Sequence, residues 1–151
     1  MSNFFEAGRA AMTSNKDDWE TPQALFDQLD ATYHFGLDAA STHANAKCEA
    51  HFTADEDGLA QDWSGYGTVW CNPPYGRVSP KWIEKMASEA DEGVPIVALL
   101  PARTDTRAFH EHIYKKPNVR IEFVRGRLRF EAGGVASQSA PFPSMLVFFN
   151  C

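Results

Sequence analysis

Asn72-Pro73-Pro74-Tyr75 is the segment of this chain whose residue types and order could do chemistry. An asparagine side chain offers a neutral carbonyl acceptor with two lone pairs. Proline fixes φ and has no N–H, so a proline pair presents acceptors only. An aromatic ring just after them can stack on a planar substrate. These parts suit the N-methylation of a conjugated exocyclic amine, whose lone pair is delocalised into its ring. The Asn72 carboxamide oxygen and the Pro73 carbonyl would accept the two N–H groups of that amine. Two rigid acceptors draw the nitrogen toward sp3 geometry and localise its lone pair. No base of high pKa is needed, because methylation makes the departing proton acidic. The same residues also suit a plain turn, since Asn-Pro and Pro-Pro break regular structure. Their place after an apolar strand favours the chemical reading.

The elements that must carry this tetrapeptide follow from periodicity. Thr68-Val69-Trp70-Cys71 reads as a strand, β-branched and aromatic, stopped by the prolines. Phe35-Gly36-Leu37-Asp38 reads as an earlier strand ending in an acid, with a further short strand around Ala50-His51-Phe52. A helix is expected from Thr21-Pro22, a hydroxyl N-cap followed by proline at the first helical position. Leu25, Phe26 and Leu29 give it one apolar face. Pro80 to Glu92 reads as a helix with Trp82, Ile83, Met86 and Ala90 on one side and Gly93 at its C-terminal cap. Ile96 to Leu100 is a strand ended by Pro101, Phe109 to Tyr114 a helix, and Val119 to Val124 a strand. Arg125-Gly126-Arg127 marks a turn before Leu128-Arg129-Phe130, and Met145 to Phe149 is the last strand. Strands alternating with helices predict an α/β fold with a mainly parallel sheet. Ligands bind beyond the carboxyl ends of such strands, so Asp38, Asn72 and Pro101 should share one rim.

Composition bounds the function classes. At 151 residues the chain suits one domain, with a lead-in over 1–18 and a catalytic domain over 19–151. Its 44% hydrophobic content is that of a globular protein and excludes a disordered one. Cys48, Cys71 and Cys151 are widely spaced without a Cys-x-x-Cys, against a zinc knuckle or a disulfide framework. Free thiols and the absence of an apolar leader fit the cytoplasm. The longest apolar run, Ile96 to Leu100, is too short to span a bilayer. A net charge of −6 argues against a uniformly basic nucleic-acid binder. The charges are unevenly spread, however: acids crowd before position 63, and Arg103, Arg107, Arg125 and Arg127 fall after 100.

Six motifs in order carry a resemblance to a known family. They are Asp18-Trp19-Glu20-Thr21-Pro22; Phe35-Gly36-Leu37-Asp38-Ala39-Ala40; Asp57-Gly58-Leu59 with Asp62-Trp63; the tetrapeptide; Leu99-Leu100-Pro101-Ala102-Arg103-Thr104-Asp105-Thr106; and Arg125-Gly126-Arg127-Leu128-Arg129-Phe130. The chain resembles the phage-type DNA N6-adenine methyltransferases, within the class I S-adenosylmethionine-dependent enzymes. The resemblance implies a compact Rossmann-like sheet flanked by helices, S-adenosylmethionine as methyl donor, DNA as partner and no metal. It implies a cofactor site drawn from Thr21, Pro22, Asp38, Ala39 and Asp57, with Asp55 and Glu56 adjacent rivals to Asp57. It implies that Asn72, Pro73, Pro74 and Tyr75 hold a flipped adenine, with Tyr75 stacked on the base. Where relatives carry a Gly-x-Gly turn after the first strand, this chain has Ala39-Ala40-Ser41, and the interval from Asp38 to Asn72 is short.

The arginines complete the expected site. Arg103 and Arg107 follow a strand end on the rim of Asn72, and Arg125 and Arg127 sit on a turn suited to phosphate. Sequence preference would come from short loops, around 76–80 and 131–141. Two other readings remain open on the residues: the same fold acting on cytosine N4, RNA or protein glutamine, and a catalytically silent DNA-binding or anti-restriction module.

Overall fold

A computed structural model describes residues 19–151, so the lead-in expected over 1–18 lies outside the described residues. Among the described residues seven strands and three α-helices follow in the order α1 (Gln23–Tyr33), β1 (Phe35–Asp38), β2 (Thr68–Cys71), α2 (Ser79–Asp91), β3 (Ile96–Pro101), α3 (Arg107–His112), β4 (Val119–Phe123), β5 (Arg129–Ala132), β6 (Val135–Ser139) and β7 (Ser144–Phe149). Strands β1, β2, β3, β7 and β4 form one sheet in that order, and β5 pairs with β6 in a separate hairpin.

Period-two alternation sorts the sheet into two faces. Val69, Cys71, Ile96, Ala98, Leu100, Met145, Val147 and Phe149 point to one side and pack under α2 and α3 with Trp82, Ile83, Met86 and Phe109. Trp70, Val97, Leu99, Leu146 and Phe148 point to the other, where Phe26 of α1 and Phe130 of the hairpin cover them. Helix α2 buries the side foreseen from its spacing, and Gly93 ends it at φ +95°, a conformation that favours a residue without Cβ. The fold is thus α/β with apolar layers on both faces of one sheet.

The sheet is mixed rather than mainly parallel. β1 pairs parallel with β2 and β2 with β3, but β7 inserts antiparallel between β3 and β4. All six residues of β7 are buried, so it must take a central place, and the chain returns to that place from the hairpin. The strand expected around residues 50–52 is a single parallel bridge between Asp38 and His51. A short 3-10 turn over Gly58–Ala60 is the regular element between β1 and β2.

Helix α1 also begins differently from expectation. Pro22 occupies the cap position without a side-chain bond, and the helix starts at Gln23. The cap comes from a distant strand: Gln23 N–H donates to Glu131 Oε2 of β5 at 3.1 Å. The same strand pairs with the segment before the helix, where Glu131 N–H donates to the Glu20 carbonyl at 3.0 Å. Residues 19–23 are thereby laid along the hairpin and held over the end of the sheet.

Candidate active site

Because β1, β2 and β3 run parallel, Asp38, Asn72 and Pro101 reach the same rim, as their places in the sequence predict. Asn72 follows the last residue of β2 and is part-exposed. Its carboxamide has partners on both ends. Nδ2 donates to the Trp19 carbonyl at 2.5 Å and to Thr21 Oγ1 at 3.0 Å. Oδ1 accepts from the Tyr75 hydroxyl at 2.8 Å. That hydroxyl also lies 3.1 Å from the Leu99 carbonyl of β3. Thr21 is buried, so its hydroxyl serves Asn72 and does not cap α1. No sequence signal pairs residues 51 positions apart; the hairpin that lays residues 19–23 across the rim does so.

Tyr75 was expected to offer its face to a base and is instead 3% exposed. Phe130 and Phe142 stand edge-on to its ring, at centroid separations of 6.3 Å and 5.6 Å. Trp19 packs on both of those rings in turn. The apolar surroundings drive the ring inward, and the two acceptors satisfy its hydroxyl there. Burial holds the phenol well above its ordinary pKa, so it is a neutral donor. Phe142 is half-buried and lies at the opening of this aromatic group, with the Arg103 guanidinium 5.9 Å from its ring centroid. Phe130 and Phe142 belong to the site and were missed as site residues; among eleven phenylalanines nothing local distinguishes them.

Asp38 closes β1 and is 2% exposed. Lys47 N–H donates to its Oδ2 at 2.9 Å and Ala40 N–H to its Oδ1 at 3.3 Å. Burial raises its pKa from 3.8 to about 6, against the opposing pull of those two N–H groups and of His51 and Lys47. The carboxylate therefore lies under the rim without a full countercharge. Burial also pushes the neighbouring Cys48 thiol up to about 12, helped by Asp38 and Asp30, so this sulfur is not a thiolate nucleophile.

The loop carrying Asp55, Glu56 and Asp57 is docked against this strand end. A Cβ on Gly58 would meet the Ala39 carbonyl oxygen and the Trp82 ring, so glycine is what permits the approach. Trp63 Nε1 donates to the Gly58 carbonyl at 2.9 Å, and buried Glu89 accepts from Trp63 N–H at 3.2 Å. Glu56 is turned back on Thr53, accepting from its N–H and hydroxyl, which lowers its pKa. Asp57 uses one carboxylate oxygen on Leu59 N–H and stays exposed.

Of the expected DNA contacts, Arg103 is linked to the tetrapeptide through Phe142, which packs on Tyr75. Arg107 is tied to Glu111 on the exposed side of α3 at 3.1 Å. Arg125 and Arg127 are exposed on the turn between β4 and β5, with no ion pair among the described residues.

A sequence model of the DNA N-6-adenine-methyltransferase (Dam) family matches residues 9–151. The chain belongs to this family. It is 32% identical over 97 residues to the DNA N-6-adenine-methyltransferase of Escherichia phage T1, a match that covers 64% of this chain and 40% of that protein. It is 38% identical over 65 residues to a putative methyltransferase, YfdM, of Escherichia coli (strain K12), covering 39% of this chain and 71% of the relative. The chain thus matches less than half the length of the phage relative. Membership in the Dam family implies a methyl donor. Among the described residues of this Dam-family chain, no cluster of three or more His, Cys, Asp or Glu could hold a metal, and no helix is long and apolar enough to cross a membrane.

Proposed function

We propose that this chain transfers a methyl group from S-adenosylmethionine to N6 of adenine in DNA. The observation that carries the reading is the fixed carboxamide of Asn72 at the end of a central strand, its oxygen accepting no backbone N–H among the described residues. Asn72 Oδ1 and the Pro73 carbonyl accept the two N6 protons, and Pro74 keeps the following peptide rigid. Tyr75 stacks on the flipped adenine once Phe142, which lies across it, has withdrawn.

The donor half rests on Asp38, Ala39, Pro22 and Asp57, in a Rossmann-like arrangement shortened between β1 and β2. Their chemistry fits the cofactor: a buried carboxylate short of countercharge suits a molecule bearing an ammonium and a sulfonium, and an exposed carboxylate suits hydroxyl or amine donors. When bound, S-adenosylmethionine supplies an electrophilic methyl group on sulfur. Asn72 and the Pro73 carbonyl would hold N6 with its lone pair toward that methyl group, and the proton that N6 gives up would pass to solvent. Thr21, expected among the cofactor contacts, lies behind Asn72.

Arg103 meets the strand carrying the target, and Arg125 and Arg127 meet phosphate. The segments expected as loops at 76–80 and 131–141, which are the turn into α2 and most of the β5–β6 hairpin, set the sequence preference. The whole of 19–151 acts as one catalytic domain, with the bacterial cytoplasm of a phage or prophage host as its place. Nucleoside mass spectrometry after incubation with DNA and S-adenosylmethionine tests the reading. N6-methyladenine should form with the wild type and vanish in Asn72→Ala while circular dichroism shows the fold retained. Methylcytosine as the product, or full activity in Asn72→Ala, would sink it.

A further inference from the structure

The chemistry of Asn72 depends on which end of its carboxamide faces the substrate. The two ends are alike in shape and opposite in hydrogen bonding. Oxygen accepts from an amine, whereas the amide nitrogen would confront it donor to donor. The Trp19 carbonyl breaks this symmetry, and two hydroxyls, free to donate or accept, follow it. The Trp19 carbonyl has no proton, so the atom 2.5 Å from it must be the donor Nδ2. Thr21 Oγ1 accepts from the same nitrogen at 3.0 Å, and the Tyr75 hydroxyl donates to Oδ1 at 2.8 Å.

These partners differ in what happens when an amine arrives. The Tyr75 hydroxyl has a second acceptor in the Leu99 carbonyl, 3.1 Å away. It can leave Oδ1 to the substrate without losing its own bond. The carboxamide is then oriented from its nitrogen side alone. Among the described residues Thr21 is the one side chain bonded on that side, and at 3% exposure it does not share its bond with bulk water. Its backbone is held in place by the Glu20–Glu131 pairing and by the Glu131 cap on Gln23.

We propose that Thr21 is a positioning residue for the transfer: its hydroxyl, with the Trp19 carbonyl, locks the Asn72 carboxamide with Oδ1 toward the substrate amine. This rests on the function proposed above. Thr21 acts through Asn72 and touches neither the base nor the methyl group.

Thr21→Val keeps the shape and removes the acceptor. At saturating DNA and cofactor its kcat should fall about ten- to a hundredfold, while KM for DNA and Kd for S-adenosylmethionine stay within about twofold. Thr21→Ser restores the hydroxyl and should recover kcat to within about threefold of wild type. Undiminished kcat in Thr21→Val overturns the inference. So does a loss confined to cofactor affinity, which would make Thr21 a cofactor contact, and so does a serine variant as slow as the valine variant.

A second measurement needs neither turnover nor the valine variant. The side-chain amide protons of Asn72, assigned by NMR through their loss in Asn72→Ala, should exchange with solvent at least about tenfold more slowly than those of an exposed asparagine. Exchange at the exposed rate in the wild type overturns the lock even in an active enzyme. A wild type with locked protons that left adenine unmethylated would refute the proposed activity and leave the lock standing.

Discussion

Replacing Asp38 by Asn should make the protein less dependent on pH, and more stable at pH 8 relative to pH 4 than the wild type is. The carboxylate is 2% exposed, and burial raises its pKa from 3.8 to about 6. Between those values the folded state holds a proton that the unfolded state has released. Wild-type stability therefore falls as pH rises from about 4 through about 6, then levels off. A rise of about two units at ~1.4 kcal/mol each makes this cost about 3 kcal/mol at pH 8. Asparagine carries no charge and removes the cost. It also loses one of the two backbone bonds, because its NH2 must face the N–H of Ala40 or Lys47, at about 1–3 kcal/mol. That loss is the same at every pH, so it cancels when pH 4 is compared with pH 8. At pH 4 the unfolded carboxyl is already about half ionised, so the stability difference, variant minus wild type, should rise by about 2 kcal/mol across this range. Urea unfolding at a series of pH values, followed by the fluorescence of buried Trp63, Trp70 and Trp82, measures it. A difference constant to within about 0.5 kcal/mol over the whole range would refute the reasoning. Under the proposed function the same variant loses affinity for S-adenosylmethionine, which titration calorimetry reads directly.

Two further outcomes test other parts of the site. Gly58→Ala drives a methyl group into the Ala39 carbonyl and the Trp82 ring, and should cost about 1–3 kcal/mol by urea unfolding. It should also weaken cofactor binding, since the loop bearing Asp57 must lift from β1; an unchanged midpoint would mean the loop is not docked there. Arg127→Ala should reduce the slope of log K against log salt for DNA by about one, without altering the base methylated. An unchanged slope removes Arg127 from the phosphate contacts.

Much of the rim was legible because its signals are local. A β-branched, aromatic run stopped by two prolines places Asn72 at a strand end whatever surrounds it, and Phe35–Asp38 places an acid likewise. The helix over 79–91 follows from four apolar residues at helical spacing. What failed was the choice of partner. Periodicity says that β7 is buried but not between which strands, and its antiparallel insertion depends on the sheet having a vacant central place. Thr21-Pro22 has the pattern of a cap, yet Glu131 from 108 residues away takes that role and frees the Thr21 hydroxyl for Asn72.

Tyr75 marks the division most clearly. By itself the sequence determined that an aromatic ring follows two acceptor-only peptides at the end of a central strand, because residue type and backbone restriction act over four residues. Only the tertiary structure decided that the ring turns inward, beneath Phe142 and against Phe130, with its hydroxyl on Asn72. The physical reason is that burial and hydrogen-bond satisfaction are settled among groups brought together by folding, and the segment 19–21, Tyr75 and Phe142 lie far apart along the chain.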